Sequence, residues 1–387
     1  MLYTEKSLKH IEQEGRNHNM EYVKKEHAFA ETAWQWFHEH PELSINTVET
    51  AAYIADNLHS FGYDNVTIVS GGVVAKWDTG IPGPVFCLRS DIDALQFCIE
   101  GKIINDHACG HDAHATILLT AAKILKEQNL VKRGKLVLLF QPGEEDNIGA
   151  LAMINSGLLD DVEEIVSAHI DTMKIGTAMP SCLNHGCAVL TADITGKNAH
   201  ASAPECGINA TEIACSAVNA MKTMVVSLDP GVCHSCKATY FNAAGSSTNT
   251  IPDRAIVCWD MRSETNEMLE ELHIRGEKVI RSVVESLGAA VQFSYEYTPA
   301  ANPGPQTVAL TTKVITKILG SCAPVVITPA ASGDDFHFYG VKLGIPSAYI
   351  GLGASCSPMH VYGLTFNHKA LEYGIDIYVE CVYERLG

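Results

Sequence analysis

Residues 107 to 114 read H-A-C-G-H-D-A-H, which crowds three imidazoles, a thiol and a carboxylate into one short stretch. A cysteine or histidine standing alone is more often a packing or capping residue than a ligand. The cluster changes that reading. Cys109 and His111 flank Gly110, so a loop there turns both side chains toward one ion. Thiolate and imidazole together suit zinc and its borderline neighbours. Asp112 either caps the helix predicted by the apolar run from Ile117 to Leu125 or orients a ligand imidazole.

Glu144 and Glu145 follow an apolar strand-like run at 135–140 and a Pro-Gly turn. Adjacent carboxylates are costly if both are buried and unpaired. A cation resolves the conflict, because one carboxylate ligates while the other shuttles a proton. The competing reading is a solvated acidic turn that includes Asp146. His169 closes a run at 164–169, and His360 lies in S-P-M-H at 357–360. Each alone reads as an ordinary histidine, and their meaning comes from combination.

The elements that position these groups are legible as periodicity. Strand-like runs at 73–76, 84–88, 135–140 and 164–169 are short and apolar, and three of them end in acidic or histidine residues. Chemistry at the C-terminal ends of buried strands is the habit of open α/β sheets. Helices are predicted at 5–40, stopped by Pro41, and at 47–61, with Gly62 as a C-terminal cap. Near residue 184 the pattern changes to strand 188–194, helix 209–228, strands 238–242 and 255–261, helix 265–287 and strand 290–297. That order is a split βαβ sandwich. Residues 299–305 form an exit linker, and the first pattern resumes with helix 307–319, strand 347–351 and helix 367–386. The expected fold is α/β: a discontinuous domain, 1–184 and 300–387, with a mixed, mostly parallel sheet flanked by helices. An α+β, ferredoxin-like domain at 185–299 interrupts it.

The chain has 387 residues, enough for about two domains, and 47% hydrophobic against 19% charged residues describes a compact protein. A formal net charge of −18 disfavours nucleic acid and anionic membranes as partners. No stretch approaches the ~18 uninterrupted apolar residues of a membrane span. Thirteen scattered cysteines lack the even spacing of a disulfide scaffold, so a reducing, cytoplasmic setting is expected.

The cluster at 107–114, Q-P-G-E-E at 141–145, Ala168-His169, G-K-N-A-H-A-S-A-P at 196–204, N-T-I-P-D at 249–253 and Met359-His360 occur in an order that resembles metal-dependent amidohydrolases of the aminoacylase type. That group includes hippurate hydrolases, N-acyl-amino-acid deacylases and auxin-conjugate hydrolases. The resemblance implies a catalytic domain binding two divalent ions, manganese or zinc first and cobalt or nickel as alternatives, with an inserted lid that often forms a homodimer. It carries over Cys109, His111, Glu145, His169 and His360 as ligands and Glu144 as general base. Five ligands exceed one open four-coordinate site, which independently favours two ions. His200 resembles the residue that donates to the oxyanion. Asn249 matches the N-x-I-P position, and it or Arg262 would hold the substrate's polar end. The implied substrate is a small N-acyl or N-aroyl amino acid or a dipeptide-like amide. Two departures stand out: the segment between Asp93 and His107 is short and lacks the usual Pro and Gln-Glu, and the Gly333-Asp334-Asp335-Phe336 stretch has Asp where relatives often carry Glu. Cys233-His234-Ser235-Cys236 reads as a loop of the inserted domain, since no second Cys/His pair accompanies it.

Two other classes compete. A cysteine hydrolase would use Cys109 as nucleophile and survive metal removal. A non-catalytic metal-binding or regulatory relative would be expected to lose Glu144, which is present.

Overall fold

A computed structural model describes residues 21–243, 245, 247–325 and 332–387. The first expected helix forms over Glu21–Glu39, and its part before residue 21 lies outside the described residues. The strands before residue 183 are β1 (Asn65–Val69), β2 (Gly72–Asp78), β3 (Val85–Asp91), β4 (Leu95–Ile99), β5 (Lys102–Asp106), β6 (Lys135–Gln141), β7 (Glu164–Asp171) and β8 (Ala178–Met179). Then come β9 (Gly186–Thr195), β10 (Ala199–His200), β11 (His234–Asn242), β12 (Thr250–Ile251), β13 (Arg254–Ser263), β14 (Ala290–Thr298) and finally β15 (Ser347–Gly353).

The chain divides into two compact units, Met1–Cys182 with Asn302–Thr328 and Asp335–Gly387, and Leu183–Ala301 with Pro329–Asp334. The first is built on a seven-stranded mixed sheet in the order β1-β2-β6-β3-β7-β15-β8. Its centre, β6-β3-β7-β15, is parallel, while β1, β2 and β8 pair antiparallel at the edges. The central strands are apolar along nearly their whole length because both faces are covered: Phe86, Cys87 and Leu88 on β3 and Leu136 to Phe140 on β6 are all fully buried. The helices Glu21–Glu39, Val48–Ser60, His111–Glu127, Pro305–Leu319 and Lys369–Leu386 share one core with that sheet, through Phe37, Ile54, Leu118, Val314 and Tyr378 among others. Each such side chain, fully buried, contributes about 1.5–3 kcal/mol.

The second unit has the antiparallel sheet β11-β13-β9-β14. Along β9 and β13 burial alternates, and the buried set, including Leu190, Ala192, Val257 and Trp259, packs on Ile213, Met221, Leu272 and Ile280 of the helices Ala210–Val226 and Asn266–Ser286. Asn209 and Thr265 cap these helices by accepting from Thr211 and Glu212 N–H and from Met268 N–H respectively. Cys236 lies buried on β11 and Cys233 is exposed.

Among the elements that escaped the periodicity are strand β1, the β4–β5 hairpin, the two-residue strands β8, β10 and β12, and the seven-residue helices Gly149–Asn155 and His337–Leu343. The helix after the cluster begins at His111, not at the apolar run.

Candidate metal centre

The parallel strands deliver their C-terminal ends to one place. β3 leads to Asp91 and Asp93, β6 turns at Gly143 (φ 64°) into Glu144 and Glu145, and β7 carries His169. Gly110, at φ 88°, sets the start of the helix His111–Glu127, and a Cβ there would stand 2.5 Å from Ile170 Cδ1. The loop after β15 brings His360, whose N–H donates to Ala108 O at 2.9 Å and whose backbone is left-handed at φ 58°.

Six sequence-selected side chains converge here. Cys109 Sγ lies 3.4 Å from His169 Nε2. His111 Nε2 lies 3.8 Å from Glu144 Oε2 and 3.9 Å from Glu145 Oε1. His360 Nε2 lies 3.6 Å from Glu145 Oε2. Ligand atoms fall within 4.8 Å of one another in the sets Cys109-His111-His169, Cys109-Glu145-His360 and His111-Glu144-Glu145. Cys109 is common to the first two.

The donors fit a divalent cation. His111 Nδ1 donates to the Asp93 carbonyl at 2.9 Å, which leaves Nε2 as a lone pair facing the centre. That Nε2 and Glu145 Oε1 are buried without a hydrogen-bond partner among the described residues. Orphaned acceptors in a dry pocket are expensive unless something positive meets them. Burial disfavours charge on the His111 ring, but Asp91 and Cys109 outweigh it and lift its pKa well above the ordinary value, so Nε2 draws a proton where a cation would otherwise meet its lone pair. Burial pushes the Cys109 thiol up against the pull of His111, and raises the Glu145 carboxyl despite His111 and His360. The pocket therefore favours positive charge, and thiolate, imidazole and carboxylate are the donors that zinc and manganese-like ions accept.

The sequence model of Peptidase family M20/M25/M40 matches residues 87–384. The chain belongs to this family. It is a hydrolase of the M20/M25/M40 group, and among its relatives is IAA-amino acid hydrolase ILR1-like 5 of Arabidopsis thaliana, 32% identical over 88% of this chain and 82% of that one. N-acetyl-L-cysteine deacetylase of Bacillus subtilis is 33% identical, covering 78% of this chain and 75% of its own. The fold matches the crystal structure of the Bacillus subtilis YXEP protein, a dinuclear metal-binding peptidase of the M20 family, with a TM-score of 0.78 at 24% identity, over 94% of this chain and 99% of that one.

Within this M20 hydrolase several residues act that sequence reasoning left without a role. Asp93 accepts from Glu144 N–H at 3.1 Å and Glu145 N–H at 3.2 Å, so its carboxylate fixes both glutamates while its backbone carbonyl accepts from the histidine beside them. Asp91 accepts from His114 Nδ1 at 2.5 Å, and His114 Nε2 accepts from Ile170 N–H at 2.8 Å next to His169. Beneath them Arg89, fully buried, pairs with Asp91 at 2.6 Å and Asp335 at 3.1 Å. The hints in the sequence were acidic residues at a strand end and, in His114, a third imidazole of the 107–114 cluster. Asp112 accepts from Ala113 N–H at 2.8 Å, in the first turn of its helix, and pairs with His38 Nδ1 at 2.8 Å.

The second unit holds the remaining candidates. His200 and Asn249 are neighbours, with Nε2 and Nδ2 3.4 Å apart, and both are exposed. Ser202 N–H donates to His200 Nδ1 at 3.1 Å, so a neutral ring carries its proton on Nε2. Two N–H donors that cannot satisfy each other then stand side by side, a pattern that suits a shared oxyanion or carboxylate. Arg262 is engaged by Asp260 through two bonds of 2.9 and 2.8 Å and donates to Cys187 Sγ at 2.6 Å.

Proposed function

We propose that this hydrolase cleaves the amide bond of a small N-acyl or N-aroyl amino acid or dipeptide-like substrate, with two divalent ions held by Cys109, His111, Glu145, His169 and His360. The carrying observation is the orphaned pair His111 Nε2 and Glu145 Oε1 inside a ring of further donors. Two donor sets sharing Cys109, and the dinuclear description of the YXEP protein, support a pair of ions. When bound, such ions supply Lewis acidity, which lets a water lose a proton near neutral pH and polarises a carbonyl. Glu144 accepts that proton on its carboxylate and returns it to the departing amine nitrogen. Asp93 keeps Glu144 in place through its backbone. His200 donates to the oxyanion, and Asn249 holds the substrate's polar end, with Arg262 as the weaker candidate because Asp260 already occupies it. The unit containing 185–299 is a lid that closes over the discontinuous domain 1–184 and 300–387 and serves as the homodimer contact. The relatives' names, an auxin-conjugate hydrolase and an N-acetylcysteine deacetylase, support the substrate class. The thirteen cysteines are scattered without the even spacing of a disulfide scaffold, which supports a reducing compartment such as the cytoplasm. No described helix is long and apolar enough to cross a membrane.

Glu144→Gln should lower turnover of N-acetyl, N-benzoyl and indole-acetyl amino acids by at least ~10²-fold while metal content stays at wild-type level. Retention of appreciable activity removes Glu144 as base. The second reading, Cys109 as nucleophile, draws on its 3.4 Å contact with His169. The upward push that burial gives the thiol opposes it. Full activity after thorough chelation would favour the cysteine reading.

A further inference from the structure

The helix Glu21–Glu39 lies ahead of the family match, which begins at residue 87. Its last turn nevertheless reaches two ligand-bearing segments. His38 Nδ1 lies 2.8 Å from Asp112 Oδ2, and Asp112, 2% exposed, directly follows His111. The other Asp112 oxygen accepts from Ala113 N–H at 2.8 Å, so the carboxylate ties the first turn of the helix His111–Glu127 to His38. One turn back, Trp34 stacks on His38 with ring centroids 5.0 Å apart. It meets His368 and Phe366 edge-on at 4.2 and 6.1 Å. Those two residues end the loop that carries His360 and stack on each other at 4.8 Å. His368 Nδ1 lies 3.2 Å from Glu31 Oε2, which fastens the same loop end to the same helix.

We infer that His38 is a positioning residue of the metal centre: through Asp112 it fixes where His111 stands, while Trp34 holds the His38 ring and steadies the end of the His360 loop. The inference rests on reading His111 and His360 as ligands. Losing a group hydrogen-bonded directly to a ligand typically costs 10–100-fold in metal affinity; His38 acts one step further back, through Asp112 and the backbone that joins it to His111, so its loss costs less. Were His38 only a fastening between helices, its loss would weaken the fold and leave the metal affinity of the folded protein unchanged.

Titrating Co(II) into the metal-stripped full chain, with the cobalt–thiolate absorption band as signal, separates the two. An Asn side chain at 38 places an amide N–H near the position of the imidazole Nδ1, whereas Gln places it near Nε2. His38→Ala and His38→Gln should weaken Co(II) binding by roughly 3- to 10-fold, at or below the low end for a group bonded to a ligand directly, and His38→Asn should restore it. In an Asp112→Asn background the His38→Ala effect should largely vanish, since the two act as one pair. Equal Co(II) affinity across the series, with only the urea midpoint moving, overturns the inference. Should His38→Ala not fold, the Asn and Gln variants decide. A wild-type chain that binds Co(II) without a thiolate band shows instead that the ligand assignment is wrong, and the inference falls with it.

Discussion

At position 376 a carboxyl group lies 4% exposed on the helix Lys369–Leu386, with its Oδ1 unpartnered among the described residues. Burial, reinforced by Glu372 and Glu380 one turn to either side, raises its pKa to about 7. Because the folded state holds this proton more tightly than the unfolded chain, stability is greatest below the unfolded pKa near 4. It falls as pH rises toward 7 and is level above. At about 1.4 kcal/mol per pKa unit the charged form costs a few kcal/mol. Asp376→Asn should therefore raise the unfolding free energy by roughly 1–3 kcal/mol at pH 8 and change it little at pH 4, as urea titrations at the two pH values would reveal. No gain at pH 8 would mean that a partner supports the charge. Nothing in the sequence announced Asp376, because an acid within an amphipathic helix looks solvated until the packing is known. Cys109 and His111 were legible for the opposite reason, since a thiol and an imidazole around one glycine have few structural uses. Asp93 was not, because it works through backbone N–H groups 51 and 52 residues further along the chain.

Among the elements, the turn at Gly110 constrains the most. A side chain there meets both a left-handed φ of 88° and Ile170 Cδ1 at 2.5 Å. Gly110→Ala is expected to cost about 1–3 kcal/mol and to loosen metal binding, because Cys109 and His111 sit on either side. Calorimetry and metal analysis of the purified variant test this, and unchanged values for both would show that the turn relaxes freely. The central strands could be read from sequence because both of their faces are buried. β1, with its half-exposed edge pattern, and the β4–β5 hairpin, with one exposed face, gave no such run. The helices Gly149–Asn155 and His337–Leu343 span about two turns each, too little for a helical period to declare itself.

On the scale of the whole chain, two separate cores imply that a bound ion stabilises them unequally. All the proposed ligands belong to the first unit. At a free metal concentration 100 times Kd, that unit gains about 2.7 kcal/mol. Calorimetry with and without a chelator should show one transition moving by several degrees and the other standing still; a rigid joint shift of both would refute independent unfolding. The same architecture bears on how the protein can be cut. The family match starts at Cys87, inside β3, whereas β1 and β2 complete the sheet on the far side of β6. A fragment trimmed to the matched residues would bare the β6 backbone from Leu136 to Phe140, an apolar strand with one row of its hydrogen-bonding groups unanswered. Such an edge is a template for another copy of itself, so the shortened protein should accumulate as aggregates however intact its metal-binding residues remain.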